Sequence, residues 1–162
     1  MTNINAPPGP NDVRLRRWLD ETLEPPQWPM GVVVRTLLRS DAPALHVFFT
    51  RVIEEFRLPY DVWWQGLSSD AEFDPALCFL ACDADGHLLG AAQCWTSSFV
   101  KDLGVHPVAR RQGIGEALLR HLFLVFKARG ESHVDLKTDG QLYSDALRLY
   151  RRLGMKEVPW AG

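Results

Sequence analysis

The chain has 162 residues, 46% hydrophobic and 23% charged, enough for one globular domain with a sizeable core. Its net charge of −2 argues against a duplex-binding surface, and it contains no apolar run of about 18 residues to mark a membrane span. The opening MTNINAPPGPNDVRLRRW lacks the apolar stretch of a secretory signal, so neither nucleic-acid nor membrane partners are expected and a cytoplasmic location is.

Residues 1–10, rich in Pro, Asn and Gly, are expected to be loose. Asn11–Glu24 reads as a short helix, with Asn11 or Asp12 as cap and Val13, Leu15, Trp18, Leu19 and Leu23 as apolar points. The expected division is an N-terminal extension over 1–30 and one domain over 31–162. After the breaker PPQWPMG, VVVRTLL reads as a first strand. Ser40 or Asp41 can cap the helix ALHVFFTRVIEEF, with Pro43 in its first turn. LPYDVWWQGLSSDAEFDP is aromatic and irregular, with room for a short helix. ALCFLACD, LLGAAQCWTS and FVKDLGV follow as strands two to four, and Asp85-Gly86 marks a hairpin between the first two. A helix from about Gly113 to Lys127 closes at Gly130; SHVDLKT is strand five, Ser144–Leu153 the last helix, and MKEV a sixth short strand.

Cys78, Cys82 and Cys94 form no zinc pattern: C-x3-C has no His partner nearby, and the run LCFLACD suits buried small hydrophobes. No metal site is expected.

The most chemically specific stretch is VHPVARRQGIGEALL, from Val105 to Leu119. A helix begins with unpaired N–H groups at its electropositive end, so an anion placed there gains charge-assisted hydrogen bonds. Gly113 and Gly115 clear side chains from those amides, and Arg110 and Arg111 add charge. The run GIGEAL lacks the third glycine of a dinucleotide fingerprint and the Gly-Lys-Ser/Thr of a Walker loop. Taken alone, the turn is either an anion cradle or a close-packed strand-to-helix junction.

Two motifs together carry a resemblance. Arg110-Arg111-Gln112-Gly113-Ile114-Gly115 after LGVHP, and ALRLYRRLGM from Ala146 to Met155, make the chain similar to the GNAT N-acetyltransferases from about Val32 to Val158. FDPALCFLACDADGHLLG resembles, more weakly, the mycothiol-synthase-like members. The resemblance implies an α/β (α+β) GNAT fold: a mixed, mostly antiparallel twisted sheet, with strands four and five splayed and helices on both faces. It implies acetyl-CoA as acyl donor, a primary amine of a small molecule or peptide as acceptor, and direct attack in a ternary complex. The backbones of Leu103, Gly104 and Val105 would hold the pantetheine arm, and the amide of Val105 or Gly104 the oxyanion. Gly104, lacking a side chain, would let the thioester approach. The amides of Arg111, Gln112, Gly113, Ile114, Gly115 and Glu116 would take the diphosphate, with Arg110, Tyr143 and Tyr150 completing the cofactor set.

Tyr150 stands where the family places its general acid, for which a phenol suits protonation of a departing thiolate. The Asn common seven residues earlier is replaced by Tyr143, and the glutamates used elsewhere in the family by Lys137 or Thr138 on strand five and Lys101 on strand four. Asp102 is the first candidate base, ahead of His106, Asp135 and Glu54 or Glu55. Phe56, Tyr60, Trp63, Trp64 and Trp95 are either an acceptor lining or satellite core. The alternatives are a non-catalytic acyl-CoA-binding module and a plain α/β domain. The residues after Gly154 are too few for the family's further strand between the fifth and sixth, which predicts an exposed sheet edge or one shared in a homodimer.

Overall fold

In the computed structural model, which describes residues 8–160, seven strands form one sheet in the order β2-β3-β4-β5-β6-β1-β7. The strands are β1 (Asp12–Trp18), β2 (Val33–Thr36), β3 (Phe73–Cys82), β4 (Leu88–Trp95), β5 (Phe99–Val105), β6 (His133–Asp139) and β7 (Lys156–Glu157). The helices are α1 (Ala42–Val52), α2 (Tyr60–Ser68), α3 (Ile114–Ala128) and α4 (Ser144–Arg152). Neighbouring strands pair antiparallel except β5 with β6. Of the loose tail expected over 1–10, residues 1–7 lie outside the described residues.

Strand alternation sorts the core into two layers. Phe79, Ala81, Ala92, Cys94 and Val100 pack with the apolar face of α3 and with Tyr150 and Leu153 at the end of α4. Cys78, Leu80, Cys82, Ala91, Trp95 and Phe99 turn the other way, against Phe49 of α1 and Trp63 of α2. All three cysteines are buried free thiols, and burial pushes those of Cys78 and Cys94 up. No helix among the described residues is long and apolar enough to cross a membrane.

The helix expected over Asn11–Glu24 is instead β1. DVRLRRW alternates: Leu15 is fully buried on the α3 side, while Arg14 and Arg16 project from the opposite face. Those arginines have a buried partner. Arg14 Nη2 donates to Asp135 of β6 at 2.9 Å and Arg16 Nε at 2.7 Å, and Arg16 lies directly across the strand pair from Asp135. The apolar points beyond Trp18 serve the segment after β1, which crosses α3 and packs Leu19, Leu23 and Trp28 on the core. Strand pairing and a charge partner 121 residues away outweigh a local helical spacing.

The same strand overturns the expected vacancy. β1 lies between β6 and β7, antiparallel to both, so the place of the missing C-terminal strand is filled from the N-terminal side of the chain.

Asp135 gives a pH-dependent stability. Burial works to raise its pKa, but the hydrogen bonds from Arg16 and Arg14 outweigh it and hold the group below its ordinary value. A depressed carboxylate stabilises the fold above its unfolded pKa and loses that contribution as pH falls through the folded one, below about pH 4. Asp135→Asn should lower stability at neutral pH by about 3 kcal/mol, by leaving two guanidiniums without their anion. It should also flatten the acid limb of a denaturant-midpoint profile; an unchanged limb would contradict this account.

Candidate active site

β5 and β6 are seven residues long but pair, in parallel, only at Phe99↔Asp135 and Val100↔Leu136. Beyond Val100 and Leu136 no further pairs form, which leaves a V-shaped gap between Leu103–Val105 and Lys137–Asp139. The backbone of β5 has a defined polarity there. His106 N–H donates to Leu89 C=O at 2.8 Å, in register with the pairs Ala91↔Gly104 and Gln93↔Asp102. Antiparallel alternation then directs the polar groups of Gly104 toward β4, and those of Leu103 and Val105 into the gap. Arg110 Nε reaches the Val105 carbonyl from the gap side at 3.2 Å.

Gly104 therefore differs from its expected role on two counts. Its amide faces β4, and its missing side chain makes room for α1: a Cβ there would overlap Cγ2 of Val52 and touch Ile53 at 3.5 Å. The end of α1 is thereby clamped onto the strand that walls the gap.

The turn before α3 is built from left-handed residues. Arg111 has φ 66° and Gly113, the N-cap of α3, has φ 83°; the first is uncommon for a side-chain-bearing residue and the second natural for glycine. Ala117 N–H is the first in the helix to reach a carbonyl of the turn, Gly113 C=O at 2.9 Å. The amides of Gly113, Ile114, Gly115 and Glu116 precede it, where helix geometry provides no partner. A Cβ on Gly113 would meet nothing within 4 Å, and one on Gly115 would stand 3.5 Å from Val105 and 3.7 Å from Leu149. The amide cluster is open on one side and seated against β5 and α4 on the other. Gln112 bonds back to the Val108 carbonyl, and His106 Nδ1 accepts from Val108 N–H, so both side chains stabilise the turn itself. The donor set and its open approach fit a diphosphate continuing into the gap.

Tyr150 is buried in the α3-side layer, and burial, with a smaller contribution from Tyr143, pushes its phenol up to about 12. Tyr143 stands at the N-cap of α4 and donates its hydroxyl to Glu55 Oε2 at 3.1 Å. Its own phenol is also pushed up to about 12, first by burial and then by Glu55. This bond ties the loop after α1 to the start of α4.

The carboxylates expected as bases divide by burial. Asp102 is buried and accepts from Lys101 Nζ at 2.6 Å. Consecutive strand residues normally face opposite ways; here the register slips between Gln93 and Cys94, leaving Lys101 in a bulge that puts both side chains in one buried pair. Asp102 is thus an ion-paired interior group rather than a free carboxylate on the wall. Asp135 is held by Arg14 and Arg16. Glu55 is exposed, with the Tyr143 phenol as its partner. Of the aromatic cluster, Phe56 and Trp63 are buried core and Tyr60 and Trp64 half-buried around them. Trp95 is buried beside Lys101, its ring centroid 6.0 Å from Nζ.

With this geometry, the sequence matches the model of the Acetyltransferase (GNAT) family over residues 37–155. The chain belongs to that family. It is 40% identical over 91 residues to the mycothiol acetyltransferase of Clavibacter michiganensis, covering 53% of this chain and 29% of that protein. It is 35% identical over 81 residues to the streptothricin acetyltransferase of Streptomyces lavendulae, covering 47% of this chain and 42% of that one. A solved GCN5-related N-acetyltransferase from Sphaerobacter thermophilus superposes with a TM-score of 0.80 at 30% identity, over 91% of this chain and 48% of that one. In each case the match spans less than half of the relative's length. The GNAT fold and the distant likeness to mycothiol acetyltransferases agree with the sequence expectation.

Proposed function

We propose that this GNAT domain transfers an acetyl group from acetyl-CoA to a primary amine of a small molecule or peptide, by direct attack within a ternary complex. The observation that carries the reading is the gap between β5 and β6, with the α3 amide cluster at its mouth. Acetyl-CoA supplies the thioester carbon that the amine attacks. The inward N–H and C=O groups of Leu103 and the N–H of Val105, whose carbonyl is held by Arg110, pair with the pantetheine arm as an added strand would. The amides of Gly113–Glu116 grip the diphosphate, and an inward amide of β5, Val105 or Leu103, meets the oxyanion. Tyr150 delivers a proton to the leaving thiolate; its raised pKa keeps that proton in place at neutral pH.

Glu55 replaces Asp102 as the carboxylate on the acceptor side. It holds the incoming ammonium and takes its proton, while Tyr143 fixes its orientation. The relatives named as mycothiol and streptothricin acetyltransferases support acyl transfer as the chemistry.

The test is thiol release from acetyl-CoA across a panel of aliphatic, aromatic, peptide and aminoglycoside amines, with CoA binding measured in parallel. Turnover with at least one amine is expected. Glu55→Gln should raise KM for cationic acceptors about tenfold or more while leaving CoA affinity within about twofold. CoA binding without turnover on any amine would favour a non-catalytic acyl-CoA-binding module.

A further inference from the structure

We propose that Arg148 and Arg152, on the exposed face of α4, form a subsite for a phosphomonoester: the 3′-phosphate on the adenosine end of CoA. The inference rests on the acetyl-CoA reading above and assigns the third phosphate, which the α3 amides do not reach.

Asp145, Arg148, Leu149 and Arg152 form an open, shallow surface patch along α4. It abuts the amide cluster, since Leu149 Cδ2 lies 3.7 Å from the position of a Cβ on Gly115. A ligand gripped at the α3 N-terminus and extending outward along α4 therefore passes over this patch.

The charges around it favour a dianion. Glu116, in the first turn of α3, would by itself oppose an anion at those amides. Arg152 Nη1 donates to it at 2.6 Å and Arg120 Nη2 stands 3.7 Å away, so its charge is matched. The Arg152 fork has further donors beyond the one spent on Glu116. Arg148 pairs with Asp145 at 2.7 Å, but the two side chains are 80% and 91% exposed, and such a pair holds its partners weakly. A phosphate dianion can take the Arg148 guanidinium from that carboxylate through a bidentate contact. Arg110 and Arg111 in the preceding turn add to a local cationic excess on a chain whose net charge is −2.

The experiment is isothermal titration of the full chain with CoA and with 3′-dephospho-CoA, for the wild type, Arg148→Gln and Arg152→Gln. CoA should bind about tenfold or more tightly than the dephospho form to the wild type, and this ratio should shrink at high salt. Arg148→Gln should bring the ratio to within about threefold of unity while leaving the dephospho-CoA affinity unchanged. Arg152→Gln should also shrink it, and should weaken both ligands because Glu116 loses its counter-charge. Equal affinities in the wild type, or a ratio untouched by either substitution, would overturn the subsite while leaving the diphosphate grip standing. Failure of both ligands to bind the wild type would overturn the acetyl-CoA reading with it.

Discussion

Tyr150→Phe lowers kcat by a factor of about 100 to 10,000, the range expected when a positioned acid is removed, and leaves the affinity for CoA within about twofold. The substitution keeps the ring in the α3-side core with Leu118, Leu122 and Leu153, so the packing that makes Tyr150 one of the buried residues persists. The loss therefore falls on proton delivery rather than on the fold. A phenol pushed up to about 12 by burial stays protonated as pH rises through 7 to 10, so Tyr150 contributes no alkaline decline within that range. Equal turnover of the Phe variant would remove the assigned acid. An alkaline limb below pH 10 that disappears in the variant would contradict the burial argument.

The second large effect concerns Gly113. At φ 83° this residue occupies the left-handed region, so any side chain costs about 1 kcal/mol in backbone strain. The space around it is open, so Gly113→Ala suffers little beyond that and should retain CoA binding with a modest loss. Gly113→Glu adds a carboxylate at the place where the amides meet the diphosphate. It should reduce CoA affinity at least 100-fold, through repulsion and occlusion, with the thermal midpoint close to that of the alanine variant. The alanine control separates backbone strain from anion exclusion, and equal CoA affinity for the two variants would show that the turn does not grip the cofactor.

How far the sequence reveals this molecule depends on the range of the interactions involved. The α3 turn was legible because its chemistry is local: two glycines, two arginines and an apolar helical stripe lie within ten residues. α4 and the strand-hairpin-strand of β3 and β4 were legible for the same reason. β1 was not, since its hydrophobic spacing fits a helix or a strand, and the choice is made by Asp135 and the open edge of β6. The bulge at Lys101 was equally hidden: a register slip in the partner strand, rather than any property of KDL, turns Lys101 and Asp102 to one side. The sequence offers ligand approach as the reason for Gly104, whereas Val52, about a third of the chain away, accounts for it. The Tyr143–Glu55 bond joins residues 88 apart, and Glu55 stood in the sequence only as one of several acidic candidates.

The central claim is that the unpaired amides at the start of α3 hold a diphosphate whose attached arm runs into the gap beside Leu103 and Val105. Amide NMR of the uniformly 15N-labelled chain, titrated with CoA, reads those groups one by one. The largest shifts should fall on Gly113, Ile114, Gly115 and Glu116, with Leu103 and Val105 moving in the same concentration range and the amides of α2 unmoved. Saturable shifts confined to another surface, or none at the α3 turn, would contradict the account.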